Sequence, residues 1–270
     1  MLDRNLYIVS TPIGNVKDFS PRGIEVLENV DIVLCEDTRV SLRLFNRLGI
    51  RIHKLAVYND HNAMAVVPKV VEAIKKDHKK LALVTDAGTP TISDPGYRLI
   101  NACLENDIKY TVIPGACAAI AALTLSGLPS DKFLFCGFAD PKKFDKLARE
   151  EATIILYEAP HRLLSTLKKM EKYFGDRVIS ISREITKIFE ETVRGDLCFL
   201  LDHFEKNSPR GEFVLVISPR NPAIDDELEA LDPLIRRLIG RIQNDELSRI
   251  LAEFSGLSKN KIYRYIYKKH

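Results

Sequence analysis

One stretch of the chain decides the fold: Leu81-Ala-Leu-Val-Thr-Asp86-Ala-Gly88-Thr-Pro90-Thr-Ile-Ser-Asp94-Pro95-Gly96. It begins as a continuous apolar run, which is typical of a strand buried on both faces of a parallel sheet. A carboxylate follows, and then a turn that contains two glycines and two prolines. Sheets of this kind bind ligands outside the carboxyl ends of their strands, so we expect Asp86 to border a ligand site. The alternative is an ordinary loop in which Asp86 only caps backbone amides.

Apolar runs alternate with helical patterns on both sides of this stretch. Ser20 and Pro21 provide an N-cap and a first helical residue, and Gly49 follows another helical pattern at residues 41–48. This βαβαβ alternation predicts a parallel, doubly wound sheet. The other predicted strands of this half are residues 6–9, 31–35, 52–57 and 109–113.

A second α/β set and a helical tail complete the prediction. An almost wholly apolar helix at 116–125 follows Pro114-Gly115, and we expect it to be buried between two domains. Further strands are predicted at 133–137, 153–157, 178–182 and 213–218, with helices at 142–150 and 161–173. After Pro222 the composition shifts to helix formers. We therefore predict α/β domains at 1–113 and 114–222 and a small α-helical segment at 223–270.

The composition is that of a globular protein. The 270 residues are 46% apolar and 29% charged, and no apolar run approaches the roughly 18 residues of a membrane helix. The N-terminus has no signal-peptide pattern, and the five cysteines are odd in number and widely spaced. These features indicate a cytoplasmic protein without a disulfide framework. A formal net charge of +3 says little about partners until its distribution is considered.

Four strand ends carry polar and glycine residues: Thr11-Pro12-Ile13-Gly14, Glu36-Asp37-Thr38-Arg39, Asp86-Ala87-Gly88 and Pro114-Gly115. Each follows an apolar strand, so all four should meet at one edge of the sheet and form a small-ligand site. The chain has neither a Gly-x-x-x-x-Gly-Lys-Ser/Thr phosphate loop nor a Gly-x-Gly-x-x-Gly dinucleotide turn. Since metal-ligand spacings of Cys and His are also missing, we expect a site without metal.

Seven motifs in order along the chain carry a resemblance to a known family. The chain resembles the tetrapyrrole methylase superfamily of S-adenosylmethionine-dependent methyltransferases. Within it, the chain is most similar to the branch that 2'-O-methylates a cytidine of small-subunit (16S) ribosomal RNA. The motifs are Leu6-Tyr-Ile-Val-Ser-Thr-Pro-Ile-Gly-Asn15, Cys35-Glu-Asp-Thr-Arg39, Val84-Thr-Asp-Ala-Gly-Thr-Pro90 with Ser93-Asp-Pro-Gly-Tyr97, Leu128-Pro-Ser-Asp131, Tyr157-Glu-Ala-Pro-His-Arg162, Ser182-Arg-Glu-Ile-Thr-Lys187 and Gly211-Glu-Phe213.

The resemblance implies two α/β domains with S-adenosyl-L-methionine in the cleft between them. It also implies small-subunit ribosomal RNA as substrate, which we expect to be recognised within the assembled subunit, and we expect a homodimer. Where the family commonly has a serine this chain has Cys117, and the basic loop after Gly137-Phe138 is shorter than usual. By position, the implied cofactor-binding residues are Pro12, Gly14, Asp86, Ala87, Gly88, Thr89, Ile92, Pro114, Ala116, Cys117 and Tyr157.

For the chemistry, Asp37 and Glu184 are the candidate bases that would accept the ribose hydroxyl proton. Arg39 and Arg183 stand beside them and suit phosphate oxygens; we count Arg39 with the catalytic residues as well. The alternative is that both acid–arginine pairs are structural ion pairs. Two other functions remain open: a small-molecule methyltransferase of the same superfamily, and a cofactor-binding, RNA-associated module without catalysis.

The C-terminal segment is predicted to bind RNA. Leu247, Ile250, Leu251 and Phe254 share one helical face, and Leu257 and Ile262 have the spacing of a hydrophobic staple around Ser258. From Arg236 onward there are nine Lys and Arg against three Asp and Glu, so the positive charge is concentrated here. A solvated basic tail, or a helix pair on a dimer partner, is the alternative. The expected RNA-binding residues here are Lys259, Lys261 and Arg264, interleaved with Tyr263, Tyr265 and Tyr267.

Overall fold

The computed structural model describes residues 2–175 and 177–269. Within these residues the chain forms ten strands and eleven α-helices, and the strands make two five-stranded sheets. Two compact units result, one comprising residues up to Ala122 together with Arg183–Glu191, the other comprising Leu123–Ser182 and the chain from Thr192 onward. The predicted division at residues 113 and 222 stays a prediction.

The first unit contains a parallel sheet flanked by helices. Its elements are β1 (Leu6–Val9), α1 (Pro21–Asn29), β2 (Ile32–Cys35), α2 (Thr38–Leu48), β3 (Leu55–Val57), α3 (Ala63–Lys75), β4 (Leu81–Leu83), α4 (Tyr97–Glu105) and β5 (Tyr110–Ile113), with a 3-10 turn at Val16–Asp18. The strand order is β3-β2-β4-β1-β5. The predicted βαβαβ pattern is confirmed in every strand, although β3 is shorter than expected.

Helix ends in this unit follow from capping chemistry. The Ser20 hydroxyl accepts a hydrogen bond from the Gly23 amide (3.0 Å) and Pro21 opens α1, as predicted. Helix α2 begins three residues before the predicted Ser41, because the Asp37 carboxylate accepts the Arg39 amide and acts as N-cap. Gly49 ends α2 with φ 68°, which glycine adopts without a steric penalty.

The parallel sheet is covered on both faces, which explains its continuous apolar strands. In β1, Tyr7 and Val9 pack into one buried cluster with α1 and α2 residues such as Leu27. The alternate residues Leu6 and Ile8 pack into the opposite cluster. Because neither face meets water, a strand that alternated polar and apolar residues could not occupy this position.

Helix α5 (Ala118–Ser126) corresponds to the apolar helix expected at 116–125. Its predicted burial on all sides is wrong, because Ala119 and Ala122 are buried whereas Ile120 is about half exposed. An apolar sequence without a polar face therefore does not by itself require complete burial here.

The second unit has a mixed sheet. Its elements are β6 (Phe133–Phe138), α6 (Phe144–Leu147), β7 (Thr153–Glu158), α7 (Leu163–Phe174), β8 (Ile179–Arg183), β9 (Glu191–Gly195), α8 (Leu197–Lys206) and β10 (Phe213–Ile217), with a 3-10 turn at Pro141–Lys143. The strand order is β6-β7-β10-β8-β9. Strand β6 is parallel to β7, whereas β10 is antiparallel to it, an arrangement that the sequence did not predict. The four predicted strands are confirmed, but β9 and α8 were missed and the helix expected at 142–150 is a single turn, α6.

Three helices close the chain: α9 (Pro222–Leu238), α10 (Asn244–Ser255) and α11 (Lys259–Lys269). They share a core of their own, which includes Ile235, Leu251 and Ile266. The predicted staple is confirmed, since Leu257 and Ile262 both belong to this core. Phe254, which the pattern places on the same helical face as Leu247 and Leu251, is 85% exposed, whereas both leucines are buried. Throughout the part of the chain that the structure describes, no helix has the length and apolar character needed to cross a membrane.

Candidate functional site

The carboxyl ends of β1, β2, β4 and β5 lie at one edge of the first unit's sheet, because these strands are parallel and adjacent. The loops that leave them contain the polar and glycine residues that the sequence places at four strand ends. We call these loops, residues 10–15, 36–38, 84–96 and 114–117, the strand-end loops. Their mutual contacts determine what the edge can bind.

The loops after β1 and β4 are joined by a short backbone bridge. The Thr11 amide donates to the Gly88 carbonyl (2.9 Å), and the Gly88 amide donates back to the Thr11 carbonyl (3.2 Å). The Thr11 hydroxyl also donates to the Thr85 carbonyl (3.1 Å). Pro12 is buried next to this bridge, and Ala87 is exposed. The structure thus brings Pro12, Ala87 and Gly88 together, as the sequence predicted for this edge.

A second set of bonds joins the loop after β5. The Thr89 hydroxyl donates to the Ala116 carbonyl (3.0 Å), so its oxygen is left to accept from the Ser10 hydroxyl, also at 3.0 Å. Gly115 allows this close approach, because a Cβ at that position would lie 2.8 Å from the Ser10 Cβ. Ser10 was not among the predicted site residues, although it directly precedes Thr11 in the first motif.

The loop after β4 has an unusual backbone. Gly88 has φ 87° and Gly96 has φ 147°, which glycine tolerates, but Thr91 has φ 77° and Ser93 has φ 62°. A β-branched residue such as Thr91 is rarely found there, and each such residue costs on the order of 1–3 kcal/mol. Strain of this kind persists where the surrounding structure holds it and is concentrated at ligand sites. Ile92, another predicted residue, is partly exposed between the two strained positions.

Carboxyl groups collect at the same edge. The Asp37 amide donates to an Asp86 carboxylate oxygen (3.2 Å), which links the loops after β2 and β4. Burial raises the pKa of Asp86, and the charge of Asp37 adds to that effect. Burial, followed by repulsion from Glu36 and Asp86, raises the pKa of Asp94 to about 7. Burial, followed by repulsion from Asp86, also raises the pKa of Glu36.

This acidic cluster favours a positively charged ligand, because a cation beside it would stabilise the ionised carboxylates, which burial and mutual repulsion disfavour. In the described residues, no three His, Cys, Asp or Glu side chains are placed to hold a metal ion. Asp94 and Glu36 were not predicted as site residues. Their signal in the sequence was their place inside two of the motifs, close behind strand ends.

Asp37 and Arg39 form a bidentate ion pair. The two carboxylate oxygens of Asp37 accept from the Arg39 guanidinium at 3.1 Å and 2.6 Å, and one of them also caps α2. These hydrogen bonds lower the pKa of Asp37 to about 2. The Arg39 side chain is 85% exposed. The pair therefore presents a fixed guanidinium to solvent.

Glu184 and Arg183 each form an ion pair with another residue of the same segment. Glu184 forms an ion pair with Lys187 (2.9 Å), and Arg183 forms one with Glu191 (2.7 Å). The segment between β8 and β9 that carries them packs on the loop after β1, where the Asn15 amide donates to the Thr186 hydroxyl (3.0 Å).

This packing requires a residue without a side chain at position 14. A Cβ at Gly14 would lie 2.6 Å from both Thr186 Oγ1 and Lys187 Cγ. Gly14 was expected, by position, to be one of the cofactor-binding residues, and that role stays a prediction. The structure shows that a neighbouring segment of the chain itself approaches there.

In the second unit, Tyr157 lies near the end of β7, with its ring edge-on to Phe135 and Phe138. The next residue, Glu158, is a buried carboxylate that the sequence did not identify. It accepts from the Ala159 amide (2.7 Å), the Thr166 hydroxyl and the Arg162 guanidinium (2.8 Å). Glu158 thus holds the turn that follows Tyr157 in one conformation.

The predicted RNA-binding residues of the tail lie on α11. Lys259 forms an ion pair with Asp245 of α10 (2.6 Å), so part of the positive charge is neutralised locally. The rings of Tyr263 and Tyr267 lie 4.9 Å apart, centre to centre, and are tilted by 43° to each other, and Tyr267 is exposed. Lys261 lies on the same helix, whereas the side chain of Arg264 lies outside the described residues.

Comparison with known proteins identifies this architecture. Residues 5–198 match the family described as Tetrapyrrole (Corrin/Porphyrin) Methylases. The chain is 41% identical to "Ribosomal RNA small subunit methyltransferase I" of Mesorhizobium japonicum, over 97% of this chain and 91% of that protein. It is 41% identical to the protein of the same name from Synechocystis, over 96% of each. The Rickettsia prowazekii protein of that name is 38% identical over 100% of this chain and 98% of its own.

Solved structures support the same fold. The chain is similar to uroporphyrin-III-C-methyltransferase from Thermus thermophilus, with a TM-score of 0.57 at 20% identity over 79% of this chain and 93% of that one. A cobalt precorrin-4 methyltransferase gives a TM-score of 0.54 at 18% identity, over 79% of this chain and 94% of that one. The predicted fold class of two α/β domains of this type is confirmed. The chain belongs to the tetrapyrrole methylase family.

Proposed function

We propose that this chain transfers a methyl group from S-adenosyl-L-methionine to the 2'-hydroxyl of a cytidine in small-subunit ribosomal RNA. The shared name of relatives that align with 96% or more of the chain supports this activity. The main structural support for this activity is the edge of the first unit's sheet. There, hydrogen bonds from hydroxyls and backbone groups join three strand-end loops beside an acidic cluster. Such an edge suits a small cationic cofactor.

The residues present fit that cofactor. S-adenosyl-L-methionine carries positive charge on its sulfonium and ammonium groups, and Asp86 and Asp94 gain from a neighbouring cation because burial raises the pKa of each and disfavours the ionised form. Ala87 is exposed, and the positive φ of Gly88 is one that glycine adopts freely, which suits the approach of a ligand to this turn. We propose that the cofactor contacts Pro12, Asp86, Ala87, Gly88, Thr89, Ile92, Pro114, Ala116, Cys117 and Tyr157.

When bound, the cofactor supplies an activated methyl group that an oxygen nucleophile can displace in line. The chain's own contribution is to hold the ribose hydroxyl in position, and a well-oriented pair can gain roughly 7–11 kcal/mol in this way. We propose that the fixed guanidinium of Arg39 binds an RNA phosphate and so sets that position. Asp37 orients Arg39 through two hydrogen bonds.

A nearby carboxylate can also accept the hydroxyl proton. General-base catalysis is most efficient when the pKa lies near the working pH, so the low pKa of Asp37 makes it a weak base. We propose Glu184 as the acceptor, with Lys187 holding its carboxylate. Arg183, Lys259, Lys261 and Arg264 are proposed to bind RNA phosphates, and the exposed Tyr267 of α11 suits an unpaired base.

A label-transfer experiment tests the function. The protein is incubated with methyl-labelled S-adenosyl-L-methionine and small ribosomal subunits from a strain that lacks its own enzyme of this kind, with large subunits as control. We expect label in small-subunit RNA at one cytidine ribose, located by mass analysis of nuclease digests. Cofactor binding without label transfer would favour the non-catalytic module, and label in an added tetrapyrrole would favour the small-molecule methyltransferase.

The same preparation tests the remaining parts of the proposal. Comparison of naked RNA with intact subunits determines whether the assembled particle is the substrate, which is what we expect. Sedimentation of the purified protein tests the expected homodimer. Fractionation of the producing cells tests the expected cytoplasmic location.

A further inference from the structure

The segment between β8 and β9 presents two large apolar side chains to solvent. Ile188 is 94% exposed and Phe189 is 74% exposed. They are adjacent in sequence, directly after the Ser182-Arg-Glu-Ile-Thr-Lys187 motif. We call Ile188 and Phe189 the apolar tip. Two adjacent large apolar side chains form an exposed patch of the kind that marks binding sites.

The backbone that holds this tip is well bonded. The Lys187 amide donates to the Glu184 carbonyl (2.9 Å) and the Glu190 amide donates to the Lys187 carbonyl (3.1 Å). The Thr186 amide donates to a Glu190 carboxylate oxygen (2.6 Å). Glu184 and Thr186 have φ of 50° and 68°, conformations that non-glycine residues adopt only when their surroundings hold them. The exposure of Ile188 and Phe189 is thus a product of the fold.

The tip is also placed beside the candidate site. Thr186 accepts from the Asn15 amide, and Gly14 leaves room for Thr186 and Lys187 within the first unit. Since residues 14 and 15 belong to the loop after β1, the apolar tip stands at the margin of the strand-end loops. The two cations of the segment, Lys187 and Arg183, are each paired with a carboxylate, Glu184 and Glu191 respectively.

We propose that Phe189, supported by Ile188, stacks on an unpaired base of the RNA next to the nucleotide that is methylated. This inference rests on the proposed function. A 2'-hydroxyl that must line up with a methyl donor belongs to a nucleotide that is accessible, and its unstacked neighbours expose apolar base faces. Aromatic side chains bind such faces without regard to sequence.

The size of the tip favours a base over a protein partner. Two side chains of this kind offer roughly 300–400 Å², whereas a stable protein interface buries about 800 Å² on each partner. A single base or base step matches the smaller area. The experiment below would also detect a second copy of the chain that covers these side chains.

The test compares Phe189→Ala with wild type and with Phe189→Trp, using purified small ribosomal subunits that lack the modification. We expect Phe189→Ala to weaken subunit binding roughly ten- to hundredfold and Phe189→Trp to restore it, because tryptophan keeps a stacking surface. The salt dependence of binding should be unchanged, since no phosphate contact is lost. Leu104→Ala, an exposed apolar residue of α4, is the matched control and should bind like wild type.

Three measurements separate the possible outcomes. Calorimetry should give wild-type affinity of Phe189→Ala for S-adenosyl-L-methionine, and its unfolding midpoint should not change. Equal subunit affinity in Phe189→Ala and wild type would overturn the inference. A loss of oligomer in sedimentation with unchanged subunit affinity would assign the tip to a second copy and would also overturn it. Failure of the wild-type protein to methylate the subunits is a separate result that refutes the proposed function.

Discussion

Asp94 lies in the strained loop after β4, where Glu36 and Asp86 repel its ionised form. Burial and these charges raise its pKa from the ordinary 3.8 to about 7. Between those values the folded protein holds a proton that the unfolded chain releases, so the free energy of unfolding should fall as the pH rises through this window. Asp94→Asn removes the titration and should flatten this decline. The free energy of unfolding of the variant, relative to that of wild type, should therefore be higher at about pH 7.5 than at about pH 4.5.

Urea unfolding at several pH values measures this effect. Asp202→Asn is the control, because Asp202 is an exposed partner of Lys206 and its amide should leave the slope as it is. The same pH dependence in Asp94→Asn and wild type would show that Asp94 ionises normally in the folded protein.

A side chain at Gly88 should have two effects, a conformational cost because φ is positive there and a loss of cofactor binding. A control glycine with a similar φ separates them. Gly49 has a similar φ of 68° at the end of α2, with no atoms within 4 Å of the position that a Cβ would take, and so carries only the conformational cost. We expect Gly88→Val and Gly49→Val each to lose about 1–2 kcal/mol of unfolding free energy. Only Gly88→Val should abolish binding of S-adenosyl-L-methionine in calorimetry. Unchanged affinity in a folded Gly88→Val protein would remove this loop from the cofactor site.

At the scale of elements, the start of α2 determines what Asp37 can do. Asparagine caps helices as well as aspartate, so Asp37→Asn should keep α2 intact while it weakens the hold on Arg39. Glu184→Gln keeps the size of the side chain but cannot take a proton. We expect single-turnover rates to fall by about 10²–10⁴-fold in Glu184→Gln, and less in Asp37→Asn, with cofactor affinity nearly unchanged in both. If both variants turn over at near-normal rates, the mechanism relies on positioning alone.

Which elements were predictable depended on whether they carry their own signal. Helix α1 has a serine cap and an initial proline, and β4 is a plain apolar run, so both were located from sequence. Strand β9 reads Glu-Thr-Val-Arg-Gly and has no apolar periodicity; its place at the edge of the second sheet comes from pairing with β8. Helix α8 is the exception, because it was missed although it carries its own signal, a cap at Asp196 and an amphipathic sequence.

At the scale of the whole molecule, the edge of the first sheet was predictable but its internal bonds were not. Parallel strands bring their carboxyl ends to one side, which is a property of the topology. The bonds from Ser10 to Thr89 and from Thr89 to Ala116 join residues far apart in sequence, and any hydroxyl nearby could have made them. The packing of Thr186 on Gly14 likewise depends on how a distant segment returns to the first unit.

The C-terminal helices form a part of the molecule that can be removed to test the RNA proposal. Their core consists of residues from α9, α10 and α11 and the turns between them, and the main core of the second unit includes none of these. The Arg220 amide bonds to the Glu150 carbonyl, so the chain should be cut after Arg220 to keep that contact. The basic residues proposed to bind RNA phosphates in this part of the chain all lie beyond the cut, from Arg236 onward.

Truncation after Arg220 should therefore leave the affinity for S-adenosyl-L-methionine nearly unchanged and weaken binding to small ribosomal subunits. With each phosphate contact that is lost, fewer counterions are released on binding, so the slope of log affinity against log salt should become shallower by roughly 0.7 per contact for single-stranded RNA. Phe189→Ala, which should weaken binding without changing that slope, is the matched comparison. A truncated protein with the same affinity and the same salt slope as the full chain would show that these helices do not bind RNA.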